Sequence, residues 1–141
     1  MRRIFEKWAE GGEAPAIAKL IGLRVASYAP DHVTLEMDAG PQHANPMGTL
    51  HGGILCDIAD AAMGTAFGSG LQDDESMTTI ELKMNFFRPF WNGLVRAEGH
   101  VIRRGRSVGY AECELKDDRG RLIAKAASTI MTLRGDKAEG R

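Results

Sequence analysis

Cysteine is scarce in this sequence. Cys56 and Cys113 are the only two, and they form no C-x-x-C pair. Two cysteines are too few for a disulfide framework, and their spacing gives no thiol redox motif. We therefore predict that both are buried, reduced thiols that pack as small apolar side chains.

An excess of charge of either sign is also lacking. The 18 Lys and Arg residues nearly balance the 19 Asp and Glu residues, which leaves a formal net charge of −1. Proteins that bind nucleic acid or an anionic membrane surface usually carry a basic excess. The composition therefore argues against nucleic acid and membranes as partners.

Long apolar runs are missing as well. No stretch approaches the roughly 18 uncharged apolar residues that span a bilayer. The opening segment, MRRIFEKWAE, contains basic residues but lacks the apolar segment of a secretion signal. These absences favour a cytoplasmic protein. The 141 residues are enough for one domain with a sizeable core, so we expect a single domain over residues 1–141.

The N-terminal segment, residues 1–21, is predicted to be helical. Its apolar residues recur at helical spacing on either side of EGGEAP, which indicates two short helices or one broken helix. Two strands are predicted to follow, Leu23 to Ala29 and His32 to Asp38, joined by a turn at Pro30 and Asp31.

A loop rich in Gly, Pro, Asn and His leads to a long helix. The pattern predicts this helix from about Gly53 to Phe67, ended by Gly68 and Gly70. The helix has almost no polar stripe, which is typical of a buried helix. It nevertheless contains Asp57 and Asp60. An unpaired buried carboxylate is costly, so acid in such a helix points to a function.

Beyond the helix the apolar residues recur with a period of two. The segment TTIELKMNFF has one apolar face, formed by Ile80, Leu82, Met84 and Phe86, and Pro89 ends the strand. Three further strands are predicted in LVRAEGHVIRRG, SVGYAECELKDD and RLIAKAASTIMTL. The polar tail, residues 135–141, is expected to be disordered.

This order of elements predicts the fold class. An antiparallel sheet must cover one of its faces, and the chain has one helix that is apolar enough to do so. We therefore predict an α+β fold, in which an antiparallel sheet of about six strands wraps around one long central helix.

A motif at the start of the helix resembles a known family. The run Asn45-x-x-Gly48-x-x-His51-Gly52-Gly53-x6-Asp60, followed by TTIELKMNFFRP, resembles the hotdog-fold thioesterases of the PaaI-like (phenylacetate-pathway) type. The predicted element order matches that fold over roughly residues 15–134. The resemblance implies hydrolysis of acyl-coenzyme A thioesters by homodimers with shared active sites, assembled as a dimer of dimers.

Hydrolysis of a thioester needs two groups and no metal or organic cofactor. One group donates a hydrogen bond to the oxyanion that forms on the carbonyl oxygen. The first turn of a helix has free N–H groups and a positive dipole end, and glycines there let a carbonyl approach. Gly52 and Gly53 therefore fit an oxyanion hole. The resemblance assigns the main N–H to Gly52, with Gly53 beside it in substrate binding.

The second group is a carboxylate that attacks the carbonyl or deprotonates a water. Asp60 lies at the position of this nucleophile or general base in the family that the sequence resembles. Asp57, three residues earlier, matches no catalytic position. We favour a structural hydrogen bond or a dimer contact for Asp57.

Three more residues take catalytic roles from the resemblance. Asn45 corresponds to a loop residue that orients the carbonyl or the attacking water, although Asn before Pro46 also suits a turn. His51 can act as an acid, or it can bond the backbone and shape the pocket. Thr79, or else Thr78, corresponds to a residue that holds the water near the carboxylate, although threonine also suits a strand.

Coenzyme A also carries phosphates. Arg103, Arg104 and Arg106 form the densest basic cluster of the chain, at a predicted hairpin tip. The planar guanidinium binds phosphate well, so this cluster is a candidate site for the nucleotide. The alternative is a solvated turn.

Two other functions compete with hydrolysis of acyl-CoA. A hotdog dehydratase or hydratase needs a His that works with an acid on the carbon chain of the substrate. Here the acid lies on the central helix after HGG, which favours hydrolysis. A non-catalytic acyl-CoA-binding module would use the same pocket, and the presence of Asp60 argues against it.

Overall fold

The predicted order of helices and strands is confirmed. The structure is a computed structural model that describes residues 1–138. Its elements are α1 Arg2–Ala9, α2 Ala16–Ile21, β1 Arg24–Ala29, β2 His32–Ala39, α3 Gly52–Ser69, β3 Glu75–Phe86, β4 Gly93–Arg104, β5 Val108–Asp117 and β6 Leu122–Arg134. The N-terminal segment forms two separate helices. Within residues 1–138, no helix is long and apolar enough to cross a bilayer.

The six strands form one antiparallel sheet. The strand order is β1-β2-β4-β5-β6-β3, so β1 and β3 are the edge strands. Helix α3 packs on one face of this sheet and fully buries Ile58, Met63 and Phe67. Each large apolar side chain buried in this way stabilises the fold by about 1.5–3 kcal/mol. The predicted α+β fold, with six strands around one long helix, is confirmed.

A glycine lets the helix lie directly on the sheet. A Cβ atom on Gly99 of β4 would lie 2.6 Å from the backbone carbonyl carbon of Ala62 in α3. Backbone at this distance cannot yield as a flexible side chain could. A larger residue at this position would therefore push α3 away from the middle of the sheet.

The two cysteines differ in burial. Both are free thiols, as predicted. Cys113 on β5 is fully buried, and this burial raises the pKa of its thiol. Cys56 on α3 is only half-buried, so the prediction of burial is wrong for this residue. Its pKa is also raised, mainly by partial burial and then by the nearby charges of Asp57 and Asp60.

The tail beyond β6 begins with a short helical turn. Gly135–Lys137 form a short 3-10 helix, closed by a hydrogen bond of 2.8 Å from the Ala138 N–H to the Gly135 carbonyl. Gly135 begins this turn with a φ of +57°, which glycine adopts at little cost. Residues 135–138 therefore form a turn, and residues 139–141 lie outside the described residues; the predicted disorder of the tail remains a prediction.

A β-bulge interrupts β3 at Ile80. Thr79 pairs with Ile130 and Glu81 pairs with Thr129, so Ile80 is one extra residue on this strand. An extra residue reverses which side chains face the helix. The predicted alternation, which put Ile80 on the apolar face and Thr79 on the other, is therefore wrong at the bulge. Ile80 is 53% exposed.

Candidate active site

Asp60 and Thr79 meet between the helix and the edge strand. Asp60 is half-buried in the middle of α3, and its Oδ1 accepts a hydrogen bond of 2.9 Å from the Thr79 hydroxyl. The other carboxylate oxygen, Oδ2, accepts no hydrogen bond from residues 1–138. Thr79 therefore orients the carboxylate and leaves Oδ2 without a hydrogen bond among the described residues.

A cavity of about 290 Å³ opens beside this pair. One wall comes from α3 and β3, and it includes Asp57, Asp60, Thr65 and Thr79. The opposite wall is apolar and comes from residues 1–23, which we call the N-terminal arm. The residues of the arm that line the cavity are Phe5, Trp8, Pro15, Ile17, Ala18, Ile21 and Leu23.

Asp57 lines the same cavity but is exposed. Its carboxylate accepts no hydrogen bond within residues 1–138. The structural hydrogen bond that the sequence suggested for Asp57 therefore has no partner in this part of the chain. A contact with a second subunit remains a prediction.

His51 caps the start of α3. Its Nδ1 accepts a hydrogen bond of 2.8 Å from the Gly53 N–H, as an N-cap side chain does. A Cβ atom on Gly53 would lie 2.9 Å from this nitrogen, so glycine leaves room for the folded-back ring. The observed role of His51 is to bond the backbone and shape the helix start. A role as an acid remains a prediction.

Because of this cap, the amides of Gly52 and Gly53 differ in their hydrogen bonding. The Gly53 N–H is used by His51, so the prediction that Gly53 binds substrate is not supported at its amide. The Gly52 N–H donates to no acceptor within the described residues. Gly52 therefore presents the open donor at the positive end of α3.

Asn45 organises the loop before the helix. Its Oδ1 accepts hydrogen bonds from the amides of Met47 (2.9 Å) and Thr49 (3.2 Å), and its Nδ2 donates to Thr49 Oγ1 at 2.8 Å. Gly48 adopts a φ of +80° in the same turn. The turn role that the sequence left open is observed. The role of Asn45 in orienting a carbonyl or water remains a prediction.

Gly52 and Asp60 do not share a site within one chain. They are eight residues apart on α3, which separates their Cα atoms by about 12 Å along the axis. Gly52 lies instead against the ring of Phe86, where a Cβ atom on Gly52 would be 3.0 Å from Cζ. Phe86 and Arg88 line a second cavity beside Gly52, also of about 290 Å³.

Thr78 is not brought to Asp60. It pairs with Met131, which is exposed, whereas Thr79 pairs with the buried Ile130. Successive side chains of a strand point to opposite faces, so Thr78 lies on the face away from α3. Of the two threonines that the sequence offered, Thr79 is the one at the candidate site.

Arg104 is held inside the fold. Its guanidinium donates to the Phe67 carbonyl at 2.8 Å, pairs with Asp31 and lies 4.2 Å from the centre of the Phe67 ring. These contacts engage the guanidinium within the fold, so they do not support the predicted phosphate role of Arg104, which remains a prediction. A second bulge, at Ile102, turns the Arg104 side chain toward the helix.

Arg103 and Arg106 differ from Arg104. Both are exposed, and neither forms an ion pair within residues 1–138. Their role in phosphate binding remains a prediction.

The N-terminal arm is the part of the site that sequence reasoning missed. Periodicity predicted its helices but could not show where they dock. A signal was present in Gly68, which the sequence suggested only as a helix end. A Cβ atom there would overlap the ring of Phe5, so the missing side chain at Gly68 lets the arm pack against α3.

An antiparallel sheet wrapped around one long helix is the hotdog fold. The chain belongs to the thioesterase superfamily, whose sequence pattern matches residues 47–124. It is a thioester hydrolase.

Individual relatives agree with this assignment. The chain is 33% identical over 122 residues to a Saccharolobus solfataricus protein that carries the name of an esterase, covering 86% of each chain. It is 24% identical over 114 residues to 1,4-dihydroxy-2-naphthoyl-CoA hydrolase of Listeria monocytogenes, covering 81% of this chain and 93% of that one. A crystal structure of a phenylacetic acid degradation-related protein from Ralstonia eutropha JMP134 is 30% identical, with a TM-score of 0.83, and covers 90% of this chain and 98% of that one.

Proposed function

We propose that this protein hydrolyses an aryl or short- to medium-chain acyl-CoA to the free acid and coenzyme A. The observation that carries the proposal is the Asp60–Thr79 hydrogen bond at the wall of a largely apolar cavity. A carboxylate oriented next to an apolar pocket can act on a carbonyl whose acyl group occupies that pocket. Relatives named for naphthoyl-CoA hydrolysis and phenylacetic acid degradation support an aryl acyl group.

In the proposed reaction, the thioester oxygen accepts a hydrogen bond from the Gly52 N–H as negative charge develops on it. Asp60 either removes a proton from an attacking water or attacks the carbonyl carbon itself. In both routes the carbon–sulfur bond breaks, and one water is consumed to give the acid and the thiol. Thr79 is a positioning residue that keeps the Asp60 carboxylate directed at the carbonyl.

We propose further that each active site is shared by two subunits. The 12 Å or so between Gly52 and Asp60 is too long for one chain to supply both groups to one carbonyl. Strand β3 is an edge strand of 12 residues, and Ile80 and Phe86 on it are 53% and 55% exposed. Pairing two such edges about a two-fold axis would place the start of each helix near the middle of the other and cover these side chains.

The resemblance also supports a dimer of dimers, as predicted from the sequence. An acyl-CoA substrate and two free cysteines fit the cytoplasmic location that the sequence favoured.

The test is release of free thiol from phenylacetyl-, benzoyl-, hexanoyl- and palmitoyl-CoA. Wild-type protein is expected to hydrolyse the first three without added metal, and Asp60→Asn should lower kcat about a hundredfold or more. Asp57→Asn is the matched control, because Asp57 lines the same cavity without the Thr79 bond, and it should lose much less. Equal or reversed losses in the two folded variants would remove Asp60 from its role.

A further inference from the structure

The two walls of the Asp60 cavity have different origins. The polar wall lies on α3 and β3. The apolar wall is the N-terminal arm, residues 1–23, which lies wholly outside the segment 47–124 that defines the superfamily. The arm is therefore the part of the pocket that can differ most between this protein and others with the same catalytic segment.

The part of the polar wall that lies on α3, which we call the floor of the cavity, is a stripe along one face of the helix. Asp60, Ala61, Gly64 and Thr65 all line the cavity, and Gly68 continues the same stripe one turn further on. The side chains beyond Asp60 are small, so an extended acyl group can lie along the helix. From Asp60 to Gly68, where Phe5 covers the helix, the stripe runs about 12 Å along the axis, so its free length is at most this distance.

The arm closes the far end of this stripe. The ring of Phe5 sits on Gly68, and Trp8, which is only 7% exposed, lies beside it in the wall. Arg2 and Arg3 hold α1 in place through hydrogen bonds of 2.8 and 2.9 Å to Asp73, in the loop after α3. Phe5 and Trp8 therefore form the end wall of the cavity.

The cavity also disfavours negatively charged acyl groups. Among the described residues, its lining contains no Lys, Arg or His, whereas Asp57 and Asp60 both face it. A terminal carboxylate on the acyl group would enter the apolar end of the pocket, where the described lining offers no cation to pair with it.

From these contacts we infer that the N-terminal arm is the specificity element of this enzyme, and that Phe5 and Trp8 set the longest acyl group it accepts. The favoured substrate is a compact, uncharged aryl or medium-chain acyl group, with its carbonyl at Asp60 and its end against Phe5. A palmitoyl chain is too long for a floor of about 12 Å. This inference rests on the proposed function, because it takes Asp60 as the group that meets the carbonyl.

The test compares chain-length preference in matched variants. The ratio of kcat/KM for decanoyl-CoA over hexanoyl-CoA is measured for wild type, Phe5→Ala, Trp8→Leu and the control Ile4→Ala. Ile4 neighbours Phe5 on α1 but is 53% exposed and does not line the cavity. The ratio should rise about tenfold or more in Phe5→Ala and Trp8→Leu, on the scale of methylene discrimination in apolar pockets, and stay unchanged in Ile4→Ala.

A binding measurement separates this inference from the proposed function. S-hexyl- and S-decyl-CoA are thioethers that cannot be hydrolysed, so calorimetry with them reports the pocket without turnover. If wild type hydrolyses none of the thioesters, the proposed function is wrong. A shift of binding preference toward S-decyl-CoA in Phe5→Ala and Trp8→Leu would still support the role of the arm in setting acyl length. Unchanged preference in folded Phe5→Ala and Trp8→Leu, or wild-type preference for palmitoyl-CoA over hexanoyl-CoA, would overturn the inference. Failure of wild type to bind either thioether would also overturn it.

Discussion

Thr79 reaches Asp60 because Ile80 is an extra residue in its strand. Met77 and Thr79 face α3 before the bulge, and Leu82 and Met84 pack against the core after it. Without the extra residue, the strand could place either the threonine or the later apolar side chains against the helix, but not both. The bulge therefore builds a polar contact into an edge strand that is otherwise apolar on this face.

The first prediction concerns this contact. Thr79→Val keeps the shape of the side chain but removes the hydroxyl that bonds Asp60. Hydrogen bonds to charged groups contribute about 1.5–3 kcal/mol, so kcat for hexanoyl-CoA should fall roughly 10- to 100-fold with little change in KM. Thr78→Val is the matched control on the opposite face of the sheet and should keep wild-type turnover. A larger loss in Thr78→Val would show that the register of β3 at the site is different.

The second prediction isolates the Gly52 amide. Proline is well tolerated at the first position of a helix, and His51 before it has the extended backbone that a following proline requires, with φ −65° and ψ 133°. Gly52→Pro therefore removes the N–H while keeping the helix start. Loss of an oxyanion donor costs about 10²–10³ in kcat.

Gly52→Ala is the control for this variant, since it adds the same Cβ against Phe86 but retains the N–H. Its turnover should lie much closer to wild type than that of Gly52→Pro. Similar losses in both would assign the effect to the contact with Phe86 and remove Gly52 from the oxyanion hole. Circular dichroism melting checks that both variants fold.

The sequence predicted the fold well because two strong signals agree. The apolar period changes from helical to alternating at the end of α3, and that helix has no polar stripe, so a buried helix against an antiparallel sheet follows directly. The single-chain positions of Asp60 and Gly52 also follow, because both lie on one regular helix. Side chains beyond the bulges at Ile80 and Ile102 were harder to place.

A bulge leaves little mark on the sequence, and each one reverses the facing of its strand. For this reason the apolar alternation placed the Thr79 side chain on the face away from α3. The sequence likewise predicted that Arg104 is exposed at a hairpin tip. Contacts between distant segments were equally hidden. No local pattern connects Phe5 with Gly68, so the arm could be predicted as helical but not as a wall of the pocket.

The third prediction separates the arginines of the β4–β5 hairpin. Arg104→Ala should lower stability by about 1–2 kcal/mol, because it removes the bonds to Phe67 and Asp31, which are partly open to solvent. KM for acyl-CoA should change little in this variant.

Arg103→Ala and Arg106→Ala should leave the melting temperature unchanged. If these exposed residues bind coenzyme A phosphates, each variant raises KM for acyl-CoA but not for a short acyl thioester that lacks the nucleotide. Equal effects on both substrates would exclude the phosphate role.

The fourth prediction tests the shared site. One subunit carries Asp60→Asn and the other carries Gly52→Pro, each with its own affinity tag, so that the mixed dimer can be isolated from co-expressed chains. In a shared arrangement, one site of the mixed dimer receives Gly52 from the first subunit and Asp60 from the second, and both groups are intact. The other site carries both lesions, so activity should return to roughly half that of wild type.

Each variant alone forms two damaged sites and should remain nearly inactive, which is the control for the rescue. If each subunit instead built its own site, every site in the mixed dimer would carry one lesion. A folded, dimeric mixture with no more activity than its parents would therefore contradict the shared site.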